Sequence, residues 1–375
     1  MKTYDYVIVG AGFFGSVLAE RLAAAGGQRV LVIDRRDHIA GNCYSAPDPK
    51  TGIEYHRYGT HIFHTPHREV WEYICRFTEF NGYRHQVLST YRGRVYQMPI
   101  NLETINAFYG LNLTPREARE LIAEERAKSG IDEPRNLEEK AISLIGRPLY
   151  EAFIKGYTSK QWRRDLRDLP ADIITRLPVR FNYNESYYAD RWQGIPLDGY
   201  TKIFERMLGT EGIDIELKTD YFDVRDSLRV RKKVVYSGPV DRYYEYRFGR
   251  LEWRSCDFKG EVVEVEDFQG TSVMNYADLE IPYTRIHEPR HLHEEREYPE
   301  DRTLIIKEYP RNDTGEQPFY PINNQSNNEV YRRYRDLMEK EKDVVFGGRL
   351  ADYKYYDMHD VIGRALTVFS ALGRA

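Results

Sequence analysis

The sequence predicts an α/β fold in which a discontinuous parallel-sheet domain is interrupted by a helical domain and an antiparallel β-sheet domain. Three observations predict it. A strand, a glycine-rich turn, a helix and a second strand open the chain. Residues 101–162 carry helix signals without a strand pattern, and the strand patterns between residues 259 and 309 have no long helix between them. At 375 residues, the chain also exceeds the ~250–300 residues at which one hydrophobic core stops growing.

The opening unit is a βαβ arrangement of about thirty residues. Residues 4–9 predict a buried strand, and a helix is expected from Ser16 until Gly26-Gly27 end it. Residues 29–33 predict a second strand, which ends at Asp34.

A GxGxxG motif, formed by Gly10, Gly12 and Gly15, lies between the first strand and the helix. The first glycine permits a tight turn, the second lets the backbone approach a pyrophosphate, and the third lets helix and strand pack closely. The pyrophosphate would lie at the helix N-terminus, and Asp34, nineteen residues after Gly15, would bind ribose hydroxyls. We therefore expect a Rossmann-like domain that binds a dinucleotide.

The middle of the chain predicts the helical domain. Thr65-Pro66 is expected to start a helix, residues 88–98 to form a hairpin, and residues 101–162 to be helical. Within that stretch, Thr114-Pro-Arg-Glu117 is a capping box, and the same capping pattern recurs at Asn136.

The last third of the chain returns to strands and to glycines. Strands are expected at 231–236, 259–267, 271–276, 302–309 and 343–346, and helices at 328–341 and from about Met358. A second glycine turn, Gly347-Gly348-Arg349, follows the last strand. It suits the second contact region of an extended FAD, whereas an NAD-binding fold need not return to its cofactor so late in the chain. The predicted cofactor is therefore FAD.

Composition excludes several classes of protein. An apolar fraction of 41% and a formal charge of −4 are ordinary for a globular protein and give no field that would attract nucleic acid. The three cysteines, Cys43, Cys75 and Cys256, form no CxxC pair and suit a reducing compartment. The first apolar run is too short to span a membrane and no targeting segment is evident, so we expect a cytoplasmic protein without membrane contact.

Motifs along nearly the whole chain resemble one family, the bacterial UDP-galactopyranose mutases. They are Tyr58-Gly-Thr-His-Ile-Phe-His64, Lys155-Gly-Tyr-Thr-Ser-Lys-Gln-Trp162, Leu177-Pro-Val-Arg-Phe181, Gly194-Ile-Pro, Gly199-Tyr-Thr-Lys, Ser237-Gly-Pro, Pro282-Tyr-Thr-Arg-Ile, Lys307-Glu-Tyr-Pro and Phe346-Gly-Gly-Arg-Leu-Ala-Asp-Tyr-Lys-Tyr-Tyr-Asp-Met358. The resemblance implies interconversion of UDP-galactopyranose and UDP-galactofuranose by reduced FAD, whose N5 atom attacks the anomeric carbon as UDP is displaced. It also implies an external reductant such as NAD(P)H, a homodimer, and supply of galactofuranose for cell-surface glycans.

The resemblance assigns the nucleotide sugar to arginine, aromatic and polar side chains. Arg176, on a mobile loop, and Arg285, on the facing sheet, would grip the diphosphate as catalytic residues, because a guanidinium is always charged and binds phosphate oxygens in a fork. Tyr187 would stack on uracil. The other implied substrate residues are Tyr157, Thr158, Trp162, Asn275, Tyr320 and Tyr355.

Histidines and the glycine turns complete the implied site. The resemblance places the catalytic residues His61 and His64 beside the flavin and the sugar, and Arg349 would balance the charge of a reduced flavin. The predicted cofactor-binding residues are Gly10, Gly12, Phe13, Phe14, Gly15, Asp34, Arg35, Asn42, His61, Gly348, Arg349, Tyr356, Asp357 and Met358. His56 and His67 are near in sequence, but residues three apart in a strand face opposite sides and no Cys or carboxylate set completes a site, so no metal is predicted.

The chain departs from the family pattern at Ala40 and Arg163, where glycine is common, and at Phe319, where tyrosine is common. The last change is compatible with the family if Tyr320 is the hydroxyl donor. The predicted boundaries assign residues 1–86, 195–245 and 326–375 to the FAD-binding domain, 87–99, 176–194 and 246–325 to the sheet domain, and 100–175 to the helical domain, with a mobile substrate loop near 165–178.

Two other functions stay open on the sequence. An amine-oxidase-like flavin oxidoreductase shares the βαβ opening, but it predicts an apolar cage in place of Arg176 and Arg285. A nucleotide-sugar-binding flavoprotein without chemistry predicts a flavin that responds to UDP without turnover.

Overall fold

The computed structural model describes residues 3–25, 27–171, 174, 179–313, 315 and 317–372. Arg176 lies outside the described residues. The strands are β1 (Thr3–Val9), β2 (Val30–Ile33), β3 (Ser45–Pro47), β4 (Glu54–His56), β5 (Phe63–Thr65), β6 (Val87–Tyr91), β7 (Arg94–Met98), β8 (Trp192–Gly194), β9 (Ile213–Glu216), β10 (Arg229–Tyr236), β11 (Trp253–Val263), β12 (Val273–Tyr276), β13 (Arg285–His287), β14 (Thr303–Asn312), β15 (Tyr320–Pro321) and β16 (Val344–Phe346).

Twelve α-helices lie within the described ranges: α1 (Phe13–Ala24), α2 (Arg68–Ile74), α3 (Leu102–Tyr109), α4 (Pro115–Ala127), α5 (Leu137–Ile145), α6 (Arg147–Leu149), α7 (Gly156–Trp162), α8 (Tyr200–Leu208), α9 (Tyr221–Val224), α10 (Val240–Tyr243), α11 (Gln325–Met338) and α12 (Met358–Leu372). Four 3-10 helices are described, at Gly41–Cys43, Leu166–Asp168, Arg225–Ser227 and Pro289–Leu292, and a π-helix spans Tyr150–Lys155. None of the described helices is long and apolar enough to cross a membrane.

A five-stranded parallel sheet with the order β16-β10-β1-β2-β9 forms the first layer. Its strand β2 is apolar and buried at every position, because both faces of the sheet are covered there. Helix α1 packs against one face, and α12 packs against α1, in a core that includes Val17, Leu18 and Ile362. The α/β class predicted from the sequence is confirmed.

A seven-stranded sheet with the order β15-β11-β14-β13-β12-β6-β7 lies beside it. Neighbouring strands within this sheet are antiparallel, except that β12 and β6 run parallel to each other. The predicted hairpin at 88–98 is confirmed as β6 and β7, and it joins the later strands in one sheet. The predicted strand at 259–267 begins earlier and ends earlier, as β11, because its pairing with β14 stops at Val263.

The helical domain has a core of its own, built from buried apolar side chains such as Leu137, Ala141 and Leu149. The capping box predicted at Thr114 is present, with Thr114 and Glu117 exchanging side-chain and backbone hydrogen bonds. Asn136 caps α5 by accepting from the backbone N–H of Glu139.

The helix predicted from Thr65 begins three residues later, at Arg68. Thr65 is instead the last residue of β5, where it pairs with Trp192 of β8 in a separate two-stranded sheet. Its hydroxyl oxygen still accepts a hydrogen bond, at 3.0 Å, from the backbone N–H of His67. Tertiary strand pairing therefore overrides the local capping signal.

Candidate active site

The first cavity follows the carboxyl ends of four neighbouring parallel strands. Turns after β1, β2, β10 and β16 line it, through Gly10 and Gly12, Asp34 to Arg36, Ser237 to Pro239, and Gly348 to Leu350. Open parallel sheets bind ligands in this position, because the turns from adjacent strands converge there.

The glycine turn after β1 fits a bound pyrophosphate. Gly10 has a φ of +109°, and a Cβ there would lie 2.2 Å from Oγ of Ser237. A Cβ on Gly15 would lie 2.0 Å from the carbonyl oxygen of Gly10, so this glycine lets α1 pack against the turn. A Cβ on Gly12 would face open space, with only the Cα of Gly41, at 3.9 Å, within 4 Å. The first turn of α1 has no side-chain cap and no acidic residue, which leaves its N–H groups available to an anion.

Asp34 lies at the end of β2, where backbone N–H groups of two turns hold its carboxylate. Its two carboxylate oxygens accept hydrogen bonds from the backbone N–H groups of Ala11, at 2.8 Å, and Arg36, at 2.9 Å. The guanidinium of Arg36 donates to Oδ1 of Asn42 at 2.8 Å and lies over the ring of Tyr58, 4.6 Å from its centroid. These contacts fix the carboxylate at the cavity wall.

A second cavity meets the first at a wall shared by Asn42, His61, Arg349 and Met358. The guanidinium of Arg349 donates to the carbonyl oxygens of Tyr356, at 2.8 Å, and Phe319, at 3.3 Å. Its central carbon lies 4.9 Å from the ring centroid of Tyr355. A permanent positive charge is therefore fixed at the junction of the two cavities.

His61 presents an uncharged ring to both cavities. Its backbone N–H donates to Nδ1 of His56 at 2.9 Å, and its own Nδ1 donates to the carbonyl oxygen of Gly59 at 2.7 Å. Burial lowers the pKa of His61 to about 4, and the charge of Arg349 also lowers it. Near pH 7 the ring is neutral, and the hydrogen bond at Nδ1 leaves Nε2 as the acceptor.

His64 is oriented by contacts on three sides. Its Nδ1 lies 2.6 Å from Oδ2 of Asp190, and its ring stacks on Tyr188 with centroids 3.7 Å apart. Its Nε2 lies 4.0 Å from Oδ2 of Asp357. One ligand atom each from His64, Asp357 and His359 lie within 4.8 Å of one another, a grouping that the four-histidine pattern did not anticipate. The prediction of no metal stays a prediction.

Arg285, the first residue of β13, lies on the wall of the second cavity. Its Nε donates to Oδ1 of Asn275 at 3.2 Å, and its Nη1 lies 3.6 Å from Oε2 of Glu308. Its central carbon lies 5.5 Å from the ring centroid of Tyr157. Burial alone would raise the pKa of Glu308, but Arg285 and His287 outweigh it and hold that pKa at about 2.

The other predicted substrate residues lie in several places, and two of them share the second cavity with Arg285. Tyr320 and Tyr355 line the second cavity with their rings stacked 5.7 Å apart. Thr158 is buried on α7, and Tyr187 packs edge-on to Tyr188 at 5.0 Å. Trp162 packs against the core of the helical domain.

The predicted cofactor residues lie along the first cavity, with two exceptions. Gly15 acts through the packing of α1, and Asp357 lines the second cavity. The lining residues of the first cavity include Gly10, Gly12, Phe13, Phe14, Asp34, Arg35, Asn42, His61, Gly348, Arg349, Tyr356 and Met358.

Sequence reasoning missed several residues that the structure brings to the two cavities. Arg36 and residues 219–222 line the first cavity, and Tyr188 and Glu308 line the second. Glu308 had a signal, because it lies inside a motif quoted for the family. Asp190 had none, since a lone carboxylate 126 positions from His64 shows no pattern before the chain is folded.

Comparison with known proteins identifies the family. Residues 152–355 match the family model described as UDP-galactopyranose mutase, and residues 8–77 match an NAD(P)-binding Rossmann-like domain. The chain is 43% identical over 368 residues to a protein of Klebsiella pneumoniae named "Probable UDP-galactopyranose mutase", covering 98% of this chain and 94% of that protein. It is 39% identical over 365 residues to the "dTDP-fucopyranose mutase" of Escherichia coli, covering 96% of each.

The fold also matches a solved structure. A crystal structure of reduced UDP-galactopyranose mutase superposes with a TM-score of 0.78, over 100% of this chain and 96% of that one, at 14% identity. The Rossmann-like expectation is confirmed, and the family favours an isomerase over the oxidoreductase and the non-catalytic binding protein. The chain belongs to the UDP-galactopyranose mutase family.

Proposed function

We propose that this enzyme interconverts UDP-galactopyranose and UDP-galactofuranose with bound FAD that is active when reduced. The observation that carries the proposal is the junction of the two cavities at Arg349. On one side lies a glycine turn that fits a dinucleotide, and on the other lies Arg285, a cation suited to a sugar diphosphate.

The residues of the first cavity fit FAD. The uncapped start of α1 and the backbone at Gly12 would bind its pyrophosphate, and Asp34 would bind ribose hydroxyls. Arg349 would face the redox-active end, where a fixed positive charge stabilises a reduced, anionic ring. Bound and reduced, FAD would supply the nucleophile that holds the anomeric carbon while UDP is detached.

Arg285 would hold the diphosphate before and after it leaves the sugar. Its charge does not titrate, so the detached nucleotide stays bound across the ordinary pH range. Glu308 and Asn275 fix the direction of the guanidinium. We propose Arg176 as a second cation on the diphosphate; it lies outside the described residues. The aromatic pair of Tyr320 and Tyr355 would donate directed hydrogen bonds to phosphate oxygens.

His61 and His64 would contact the sugar and the flavin from the wall of the second cavity. His61 is neutral near pH 7 and offers Nε2 as an acceptor. His64 is held by Asp190, so its Nε2 faces Asp357 across 4.0 Å. Both rings are thereby oriented before substrate binds, which lowers the cost of placing it.

The test is turnover by the purified, FAD-loaded protein with and without dithionite. UDP-galactopyranose is the first substrate and dTDP-fucopyranose the second, because the E. coli relative is named for the latter. Chromatography should show a new isomeric peak from UDP-galactopyranose only with reduced protein. Absence of that peak in every reduced sample would refute the proposed function.

Matched arginine variants test the assigned cation. Arg285→Ala should abolish most turnover and weaken UDP binding while FAD stays bound. Arg68→Ala is the control, because it removes the same charge from an exposed i,i+4 pair on α2. Equal UDP affinity in the two variants would contradict the role of Arg285.

We extend the proposal to the enzyme's setting: a cytoplasmic homodimer, reduced by a donor such as NAD(P)H, that supplies galactofuranose for cell-surface glycans. Cys43, Cys75 and Cys256 are free thiols, which supports a reducing compartment. Sedimentation of the FAD-loaded protein tests the dimer, and anaerobic bleaching by NADPH tests the donor.

A further inference from the structure

The ammonium group of Lys160 lies in a cage of backbone carbonyl oxygens. Its Nζ donates to the carbonyls of Tyr276 at 2.7 Å, Asp278 at 2.8 Å, Ile281 at 3.0 Å and Tyr283 at 3.0 Å. An ammonium has three protons, so these four oxygens share them. Burial lowers the pKa of Lys160 to about 8, so the group is still charged at pH 7.

The cage is built from the segment that leads into Arg285. The caged carbonyls run from Tyr276, the last residue of β12, into residues 277–284, which connect β12 to β13. Strand β13 begins with Arg285, two residues after the last caged carbonyl. Lys160 itself lies on α7, between the predicted substrate residues Tyr157 and Trp162. The ammonium group therefore joins the helix that carries Tyr157 to the segment that enters β13 at Arg285.

Two further contacts fix α7 to the same sheet. A Cβ on Gly156 would lie 1.9 Å from the carbonyl oxygen of Ala277, so the helix backbone touches the cage segment directly. At the other end, the buried Arg254 of β11 donates twice to the carbonyl oxygen of Gln161, at 3.1 and 2.7 Å. Helix α7 ends at Trp162, and Arg163 follows it in the left-handed region, with a φ of 50°.

These contacts anchor the chain up to the end of α7. Up to Gln161 the helix is tied to the seven-stranded sheet through Gly156, Lys160 and Arg254. Arg176 comes later in the sequence. The fixed helix gives the predicted substrate loop a constant starting point.

We propose that Lys160 is a positioning residue for the mutase reaction: its ammonium holds α7 against the segment entering β13, and so sets the placement of Tyr157 relative to Arg285. The inference rests on the proposed function, which makes Arg285 the diphosphate ligand. A neutral side chain at 160 would leave four inward-facing carbonyls without their donor, and the segment would shift to reach water. Arg285 and its neighbour Tyr157, now 5.5 Å apart, would move with it.

The experiment measures UDP affinity in the FAD-loaded protein. Lys160→Ala should weaken UDP binding at least tenfold and lower kcat while FAD content stays normal, because Lys160 does not line the first cavity. Lys155→Ala is the matched control, since it removes an exposed lysine just before α7. n-Propylammonium, which has the three carbons and the ammonium that Lys160→Ala deletes, should restore UDP affinity to that variant. Equal affinity in Lys160→Ala and wild type would overturn the inference.

A double-variant cycle separates positioning from simple loss of structure. If Lys160 acts through Arg285, adding Lys160→Ala to Arg285→Ala should weaken UDP binding by less than twofold more. Fully additive losses would overturn the inference. If Lys160→Ala does not retain FAD, the same double-variant cycle is measured with Lys160→Gln, whose side-chain amide keeps two N–H donors. If the wild-type protein neither binds UDP nor converts UDP-galactopyranose, the proposed function is refuted. That result differs from the failure of this inference, in which the wild-type protein is active and Lys160→Ala binds UDP equally well.

Discussion

The glycine turn provides a sharp test, because two of its glycines predict opposite consequences for the same substitution. In Gly15→Ala, the new methyl carbon would lie 2.0 Å from the carbonyl oxygen of Gly10 and 2.9 Å from Cγ2 of Ile8. In Gly12→Ala, only the Cα of Gly41, at 3.9 Å, lies within 4 Å of the new methyl carbon. Gly12 also has an extended backbone, with φ −82° and ψ −176°, which alanine adopts readily.

The two magnitudes follow from these distances. At position 15 the methyl group meets backbone rather than a movable side chain, so α1 must shift away from β1. Overpacking typically costs about 1–3 kcal/mol, and we expect about 3 kcal/mol here. At position 12 the protein accommodates the methyl group, and the apoprotein should stay within ~0.5 kcal/mol of wild type. That methyl group, however, enters the space proposed for the pyrophosphate, and a 10- to 100-fold loss of FAD affinity, about 1.4–2.7 kcal/mol, is expected.

Urea unfolding of the apoproteins measures the first quantity, and FAD titration followed by flavin fluorescence measures the second. The expected pattern is a stable Gly12→Ala that binds FAD weakly and a destabilised Gly15→Ala. If Gly12→Ala bound FAD like wild type, the pyrophosphate would not lie at this turn. If apo Gly15→Ala were as stable as wild type, the packing role of Gly15 would be wrong.

Three further predictions concern stability. Glu308→Ala should lower the free energy of unfolding by about 3 kcal/mol. This value is near the lower end for a broken buried ion pair, because the side chain of Arg285 is 30% exposed. An unchanged urea midpoint would contradict this prediction. The apoprotein should lose stability as pH falls from 7 to 5, by roughly 2 kcal/mol for each of His61 and His85. Burial lowers the folded-state pKa of His61 to about 4 and that of His85 to about 3, so below about pH 6.5 the unfolded chain binds more protons than the folded protein. Urea unfolding that does not depend on pH would refute this prediction. Thr114→Ala should cost about 1 kcal/mol through loss of the α4 cap, with turnover unchanged; a loss of activity would show that α4 influences the site.

Local signals predicted the first part of the fold well. The βαβ opening, the 88–98 hairpin and the Thr114 cap depend on neighbours in sequence, and all three are present. The helix expected from Thr65 begins late, because Thr65 pairs with Trp192, a partner that no local pattern reveals. Strand ends near Val263 were likewise set by a distant partner.

The residues of the site also fall into those that local sequence signals predict and those that they do not. Gly10, Gly12 and Asp34 lie in one short segment with a known spacing, so their convergence could be predicted. The contact between His64 and Asp190 could not, since it depends on how two separate segments pack. Resemblance supplied Arg285, yet it gave no role to Glu308, whose importance is electrostatic and appears only once burial and distance are known.

The strand order of the parallel sheet has a consequence for synthesis on the ribosome. One edge of β1 pairs with β2 soon after translation begins, but its other edge pairs with β10, where Tyr6 lies opposite Lys233. That edge stays open until the chain has emerged past residue 236, with the helical domain and the first hairpin already made. An unpaired apolar strand edge invites association with other chains, so nascent chains stalled before β10 should recruit chaperones, and those stalled after β16 should not.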